Sequence, residues 1–122
     1  MLLNTLSTVE KKLNEIDFLD INKIDVFLDT FKHYKKDNIV YPGVFIRNLG
    51  ISSTAVYRIL YELSNIGILE INYEIFCEEC NHFRGIIYRS IASIPDDLIC
   101  DNCNKEITIL DYVVVFRMLV DV

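Results

Sequence analysis

The chain has 122 residues, 52% of them hydrophobic, and carries a formal net charge of −6 at pH 7. This length holds one compact domain or two very small ones, and no apolar run approaches the roughly 20 residues that a membrane-spanning helix needs. The N-terminus also lacks the basic start and long apolar run of a secretory signal, so we expect a cytoplasmic protein with no membrane partner.

Two amphipathic helices are predicted in the first third of the chain. The first spans about 12 residues, and its apolar stripe either packs on its own domain or forms the seam of a homodimer. That stripe consists of Leu6, Val9, Leu13 and Ile16. The second helix follows Asp20, which can cap it, and its apolar face runs from Ile21 to Phe31. We expect Lys32, Lys35 and Lys36 in its last turns, where positive charge suits the C-terminal end of the helix dipole.

A short helix, a sharp turn and a longer helix are predicted next. Pro42 fits the first turn of the short helix, because its fixed φ suits that position and its missing N–H costs nothing there. Gly50 then permits the turn, since glycine adopts positive φ without steric cost. Ser52 or Ser53 can cap the longer helix.

The longer helix has one apolar face with helical spacing, which predicts a buried stripe. Its members are Val56, Ile59, Leu60 and Leu63, with Ile66 extending them. Gly67 is expected to end the helix. Apolar and polar residues alternate over residues 68–76, which predicts a strand.

Four cysteines then occur in two copies of a C-x-x-C-N motif, with 19 residues between the copies. They are Cys77, Cys80, Cys100 and Cys103. Each copy can direct two thiolates at one point, and four sulfurs complete the tetrahedral site of one structural zinc ion. The asparagine that ends each copy, Asn81 and Asn104, suits a backbone position with positive φ.

Two other chemistries compete for these cysteines. Disulfides are typical of oxidising compartments, and the spacing here is that of a metal site. Iron in a rubredoxin-like site uses the same four sulfurs, so the ligands alone leave zinc and iron open. His33 and His82 are interpreted as surface residues, because four sulfurs already fill the metal site.

The remaining segments are predicted to be mostly extended. Strands are expected over residues 84–91 and 107–110, with a turn over 94–97. The tail, residues 111–122, has apolar positions that fit a helix face, but its run of three valines favours a strand, which we predict. An exposed strand of this kind invites pairing with another chain, so we expect it to be covered.

Part of this layout resembles a known fold family. The short helix, Leu49-Gly50-Ile51-Ser52, the long helix and the strand after Gly67 resemble a winged helix-turn-helix over residues 20–76. In that family the helix after the turn enters the DNA major groove and the following strand pair forms the wing. The two C-x-x-C-N motifs are similar to a zinc ribbon over residues 73–110.

The combination resembles archaeal transcription factor E and small winged-helix accessory subunits of prokaryotic assemblies in defence or chromosome handling. It implies an α+β fold, with a winged helix-turn-helix region over residues 1–72 and an antiparallel four-cysteine zinc ribbon with a β-rich tail over residues 73–122. The strand over 68–76 runs directly into Cys77, unlike the layout of transcription factor E, so the wing can itself be the first ribbon strand.

The resemblance implies double-stranded DNA as one partner and transcription regulation as the function. The outward residues of the longer helix would then approach the duplex, with Arg58 able to bind guanine through two hydrogen bonds. The expected contact residues on this helix are Ser53, Thr54, Tyr57, Arg58 and Tyr61. Arg47, Lys35 and Lys36 would contact phosphates beside it.

A protein-binding adaptor or accessory subunit is the alternative. Residues 73–122 carry four basic residues against nine acidic ones, whereas residues 32–72 carry five against three. Such an acidic ribbon does not suit a phosphate-binding surface, and Tyr57 and Tyr61 are residue types enriched at protein interfaces. No pairing of nucleophile and base, phosphate loop or open metal site indicates an enzyme or a small-molecule substrate.

Overall fold

The structure, a computed structural model, describes residues 2–77, 82–95, 98–100, 103–106 and 112–122. Within these ranges the chain has an α+β fold in which α-helices precede most of an antiparallel sheet. None of the helices in the described ranges is both long enough and apolar enough to cross a membrane. The α+β class predicted from the sequence is confirmed.

The first two helices are α1, Leu2–Asn14, and α2, Ile21–Phe31. Asp20 caps α2 as predicted, because its carboxylate accepts a hydrogen bond of 2.9 Å from the backbone N–H of Lys23. Of the three lysines predicted in the last turns of α2, Lys32 is its C-cap residue, whereas the prediction was wrong for Lys35 and Lys36. The helix ends at Phe31, and the backbone N–H groups of Lys35 and Lys36 donate to the side chains of Asn38 and Asp121 instead.

The next two helices are α3, Pro42–Leu49, and α4, Ser53–Asn65. Pro42 lies in the first turn of α3, and Gly50 ends it in the left-handed conformation, at φ 66°. Ser52 is the N-cap of α4, and its hydroxyl accepts a hydrogen bond of 3.1 Å from the backbone N–H of Ala55. The predicted turn chemistry between these helices is therefore confirmed.

The apolar stripe of α4 is buried over its predicted length, with one exception. Val56, Ile59, Leu60 and Leu63 are fully buried. Ile66 was expected to extend the stripe, but it is the C-cap residue and is 39% exposed. The chain turns at Gly67, at φ 82°, and the N–H of Ile68 donates to the carbonyl of Leu63, so the core is continued by Ile68 and Leu69.

Stacked aromatic rings join α2 to α3. The ring centroids of Phe27 and Phe45 are 4.5 Å apart, and those of Phe27 and Phe31 are 5.4 Å apart. All three side chains are fully buried, and such pairs add to the free energy gained from burial alone. The Nζ of Lys23 donates a hydrogen bond of 2.9 Å to the carbonyl of Leu49, which places a positive charge at the C-terminal end of α3.

Four strands form one sheet in the order β1-β4-β2-β3. They are β1, Ile39–Val40; β2, Leu69–Cys77; β3, His82–Tyr88; and β4, Tyr112–Met118. The predicted strand in the tail is confirmed as β4, whose two sides face β1 and β2, so this strand is covered within the chain. The short strand β1 was not predicted, because two residues are too few to show a periodicity.

Backbone pairing fixes the register of these strands. Residue 39 pairs with Arg117 and Val40 pairs with Phe116 in the antiparallel β1–β4 ladder. In the β2–β3 ladder Tyr73 pairs with Tyr88 and Cys77 with residue 82, with a register shift between residues 74 and 76. Residues 91–93 form a 3₁₀ turn just before the predicted turn, and the predicted strand over 107–110 lies outside the described residues.

The chain divides into two compact units. The helical unit consists of Met1–Glu70 and Phe116–Val122, and the cysteine unit consists of Ile71–Val115. Within the helical unit, Asp37 and Asn38 exchange backbone hydrogen bonds of 2.8 and 2.9 Å with Met118, and the N–H of Leu119 donates to Ile68. These bonds attach the end of the chain to the loop before β1 and to the turn after α4.

Candidate metal centre and exposed face of helix α4

Three cysteines of the cysteine unit lie close together. Cys77 is the last residue of β2, and Cys100 and Cys103 lie in the connection between β3 and β4. Their Sγ atoms all lie within 4.8 Å of one another, and those of Cys77 and Cys103 are 3.5 Å apart. Cys80 lies outside the described residues.

The second C-x-x-C-N motif forms a tight turn that accounts for this arrangement. The N–H of Cys100 donates to the carbonyl of Lys105 at 2.9 Å, and the N–H of Asn104 donates to the carbonyl of Cys100 at 2.8 Å. Ile99 and Glu106 form an antiparallel bridge just outside these bonds. Asn104 has φ 60°, so the predicted positive φ is confirmed there, whereas Asn81 lies outside the described residues.

Apolar side chains surround the three sulfurs. Cys77 and Cys100 belong to a buried cluster with Ile75 and Ile94. Half-buried hydrophobic residues pack against it, namely Tyr73, Tyr88, Leu98, Cys103 and Tyr112. Tyr73 and Tyr112 meet edge to face, with ring centroids 5.2 Å apart. Thiolates buried in such surroundings need a positive partner, because desolvation otherwise penalises their charge.

The spacing of the sulfurs suits a metal ion better than a disulfide. A disulfide bond joins two sulfurs at about 2.05 Å, well below the 3.5 Å between Cys77 and Cys103. In a tetrahedral site with zinc–sulfur bonds of about 2.3 Å, neighbouring sulfurs are about 3.8 Å apart. The three described cysteines therefore fit three corners of such a site, and the cluster could hold a metal ion.

The predicted DNA-contact residues lie in different surroundings on the helical unit. Ser53, Thr54 and Arg58 are exposed on α4, in its first two turns. Arg47 at the end of α3 is exposed, as are Lys35 and Lys36 in the loop before β1. His33 is exposed too, in agreement with its interpretation as a surface residue.

Tyr57 and Tyr61 pack against the tail strand. Their ring centroids lie 6.2 and 5.4 Å from that of Phe116, which is fully buried on β4. Burial raises the pKa of the Tyr57 hydroxyl, and the neighbouring Tyr61 raises it further. The two tyrosines thus cover part of the core, and Tyr61 remains 38% exposed.

Two contacts of α4 could not be found from the sequence. The guanidinium carbon of Arg58 lies 5.3 Å from the ring centroid of Phe18, in the connection between α1 and α2. Glu62, one turn after Arg58, pairs with Lys12 of α1 at 3.1 Å. The residues in each pair are about 40 to 50 positions apart in the chain, so no local pattern joins them.

Comparison of the chain with protein-family models, with curated proteins and with solved structures finds no match.

Proposed function

We propose that the protein is a non-enzymatic winged-helix protein that holds one structural zinc ion and binds double-stranded DNA to regulate transcription. The observation that carries this proposal is the arrangement of α3, the Gly50 turn and α4. One face of α4 is buried in the helical unit, and its N-terminal half presents Ser53, Thr54 and Arg58 to solvent. A helix presented in this way can enter a major groove.

The strands that follow α4 support the winged-helix interpretation. In that fold, two neighbouring strands follow the recognition helix and form the wing. Here β2 begins four residues after α4 ends, and its neighbours in the sheet are β3 and β4. The first cysteine motif begins at Cys77, the last residue of β2, and both motifs precede β4 in the chain, so the proposed zinc ribbon would be an insertion between the wing strands β2 and β4.

We assign Cys80 as the fourth ligand of the proposed zinc site, beside Cys77, Cys100 and Cys103. Four thiolates leave no open coordination position, so the ion would stabilise the small cysteine unit and would not catalyse a reaction. Elemental analysis of the reduced protein should find about one zinc per chain. Cobalt substituted for zinc should show the intense thiolate charge-transfer absorption of a four-sulfur site, weakened in Cys80→Ser. Iron in place of zinc, or no metal at all, would contradict this assignment.

DNA binding should depend on salt in proportion to the phosphates contacted. If Arg47, Lys35 and Lys36 each neutralise one phosphate, the logarithm of the binding constant falls with the logarithm of salt concentration with a slope of about −2.7. Affinity would then fall about 40-fold between 50 and 200 mM salt. Fluorescence anisotropy with a mixed-sequence 30-bp duplex measures this slope.

Single substitutions test which cations take part. Arg47→Gln and Lys36→Gln should each reduce the slope by about 0.9. Lys11→Gln, which removes an exposed charge on α1, is the matched control and should leave the slope unchanged. Absence of binding by the wild-type protein at 50 mM salt would refute the DNA-binding function.

A protein-binding adaptor is the second candidate, and the distribution of charge and apolar surface favours it. The cysteine unit, residues 71–115, has three basic residues against eight acidic ones. Large apolar side chains are exposed on the helical unit, namely Phe18, Ile21, Val26, Tyr41, Tyr61 and Ile66. Such side chains are common at protein interfaces.

The adaptor function predicts a stoichiometric companion when the protein is purified at its natural level. Light scattering after size-exclusion chromatography separates that companion from a homodimer, because the two give different masses. A monomer that purifies alone would contradict the adaptor function.

A further inference from the structure

We propose that Phe18 is a positioning residue for Arg58, and that the two together recognise a guanine in the DNA major groove. This inference rests on the proposed DNA-binding function and deepens it. Arg58 on α4 would contact the base, and the ring of Phe18, which lies outside the helix-turn-helix segment, would hold Arg58 in position.

The position of Phe18 is fixed on both sides. Ile16 is buried, and its carbonyl accepts a hydrogen bond of 3.2 Å from the N–H of Leu19. Asp20 is held in place as the N-cap of α2. Phe18 lies between these anchors and is 37% exposed, so most of its surface is covered while part remains accessible.

Arg58 contacts this ring and has no carboxylate partner among the described residues. Its guanidinium carbon lies 5.3 Å from the ring centroid, within the distance of a cation–π contact. Glu62, the acid one turn further along α4, is paired with Lys12 at 3.1 Å. The nearest acid on the helix is therefore neutralised by a different residue.

A guanidinium on an aromatic ring keeps its hydrogen-bonding capacity. When an aromatic ring contacts the flat face of a guanidinium, the N–H donors point outward in the plane of that group. Two such donors match the O6 and N7 acceptors of guanine. Because the ring already restricts the side chain, less conformational entropy is lost when the base is bound. Thr54 lies one turn before Arg58 on the same face of α4 and is exposed. The surface next to the guanidinium on the N-terminal side of the helix is therefore polar.

The test begins with selection of bound sequences from a duplex pool with 12 randomised base pairs, at 75 mM salt. The selected duplex is then compared with a version in which one guanine is replaced by adenine. The preference is the ratio of the two affinities. For wild type we expect a preference of about tenfold or more at one guanine, as a two-bond arginine contact gives.

Variants of both residues then separate positioning from stability. Arg58→Lys keeps the charge but loses the planar fork and its stacking face, so the preference should fall severalfold. Phe18→Leu removes the aromatic face and should lower the preference about two- to fivefold, the equivalent of an exposed cation–π contact. Phe18→Tyr keeps the face and should retain the preference. Val26→Ala, at 40% exposure on α2, is the control for a change in exposed apolar surface.

The readouts also distinguish this inference from the proposed function. All four variants should melt within a few degrees of wild type and bind an alternating dA–dT duplex about as well as wild type does. If wild type binds no duplex at 75 mM salt, the proposed function fails and this inference fails with it. If wild type binds DNA but shows no guanine preference, or keeps it in Phe18→Leu or Arg58→Lys, only this inference is overturned.

Discussion

Replacing Gly50 with alanine should destabilise the turn between α3 and α4 by about 1 kcal/mol. Gly50 has φ 66°, a left-handed conformation that costs a residue with a Cβ about 1–2 kcal/mol. A Cβ built at this position meets no atom within 4 Å, so the cost comes from the backbone and not from a clash. Part of it is offset because alanine also reduces the conformational entropy of the unfolded chain.

Thermal unfolding followed by far-ultraviolet circular dichroism measures this effect. For a chain of this length, 1 kcal/mol corresponds to a fall in Tm of about 4 °C. Gly50→Asn should lose less, because asparagine tolerates the left-handed conformation better than alanine does.

Gly43→Ala is the matched control and should have the opposite sign. Gly43 lies in the first turn of α3, where alanine is favoured over glycine by about 0.5–1 kcal/mol. The new Cβ would lie 3.4 Å from a terminal nitrogen of Arg47, an exposed side chain that can move. A Gly50→Ala protein as stable as wild type, or a Gly43→Ala protein that loses as much, would refute the assignment of the cost to the left-handed turn.

Three further predictions concern the metal site, the tail strand and the half-buried hydroxyl of Tyr34. Cys77→Ser should abolish metal binding and the near-ultraviolet circular dichroism of the packed tyrosines, whereas Ile99→Ala, at an exposed position of the same unit, should change neither. Phe116→Ala should lower the free energy of unfolding, measured by urea denaturation, by about 3–5 kcal/mol, because it leaves a cavity beneath the tyrosines of α4. A loss below about 1 kcal/mol would mean that β4 is not part of the helical core. Burial raises the pKa of the Tyr34 hydroxyl in the folded protein. The hydroxyl therefore contributes fully to the free energy of unfolding below its unfolded pKa, which is near 10. This contribution is lost as pH rises through the higher pKa of the folded state. Tyr34→Phe should therefore lose less stability than wild type between pH 9 and 11; equal losses would contradict this.

Three of the proposed DNA-contact residues of α4 also contact aromatic rings within the protein. Tyr57 and Tyr61 were predicted as outward residues of α4, but both rings pack on Phe116 of the tail strand. The contact of Tyr57 and Tyr61 with DNA therefore stays a prediction, and such a contact would have to leave their packing on Phe116 intact. Arg58 keeps its exposure and gains the ring of Phe18 as a support.

Much of the helical unit could be predicted from the sequence, because its signals are local. The cap at Asp20, the turn at Gly50, the cap at Ser52 and the apolar stripe of α4 each depend on residues within about one to three turns of helix. The repeated C-x-x-C-N motif likewise predicted the positive φ of Asn104 and the clustering of cysteines. These local rules failed at Ile66, where the chain turns at Gly67, and at the lysines after Phe31, where the backbone N–H of Lys36 donates to the side chain of the distant Asp121.

Only the tertiary structure decided which distant segments meet. Nothing in the valine-rich tail specifies that β4 lies between β1 and β2, or that Phe116 packs under the tyrosines of α4. The contact between Phe18 and Arg58 joins residues 40 positions apart, so no periodicity records it. Side-chain spacing along a chain encodes the buried face of each helix or strand, whereas the choice of partner for that face depends on how all the elements pack together.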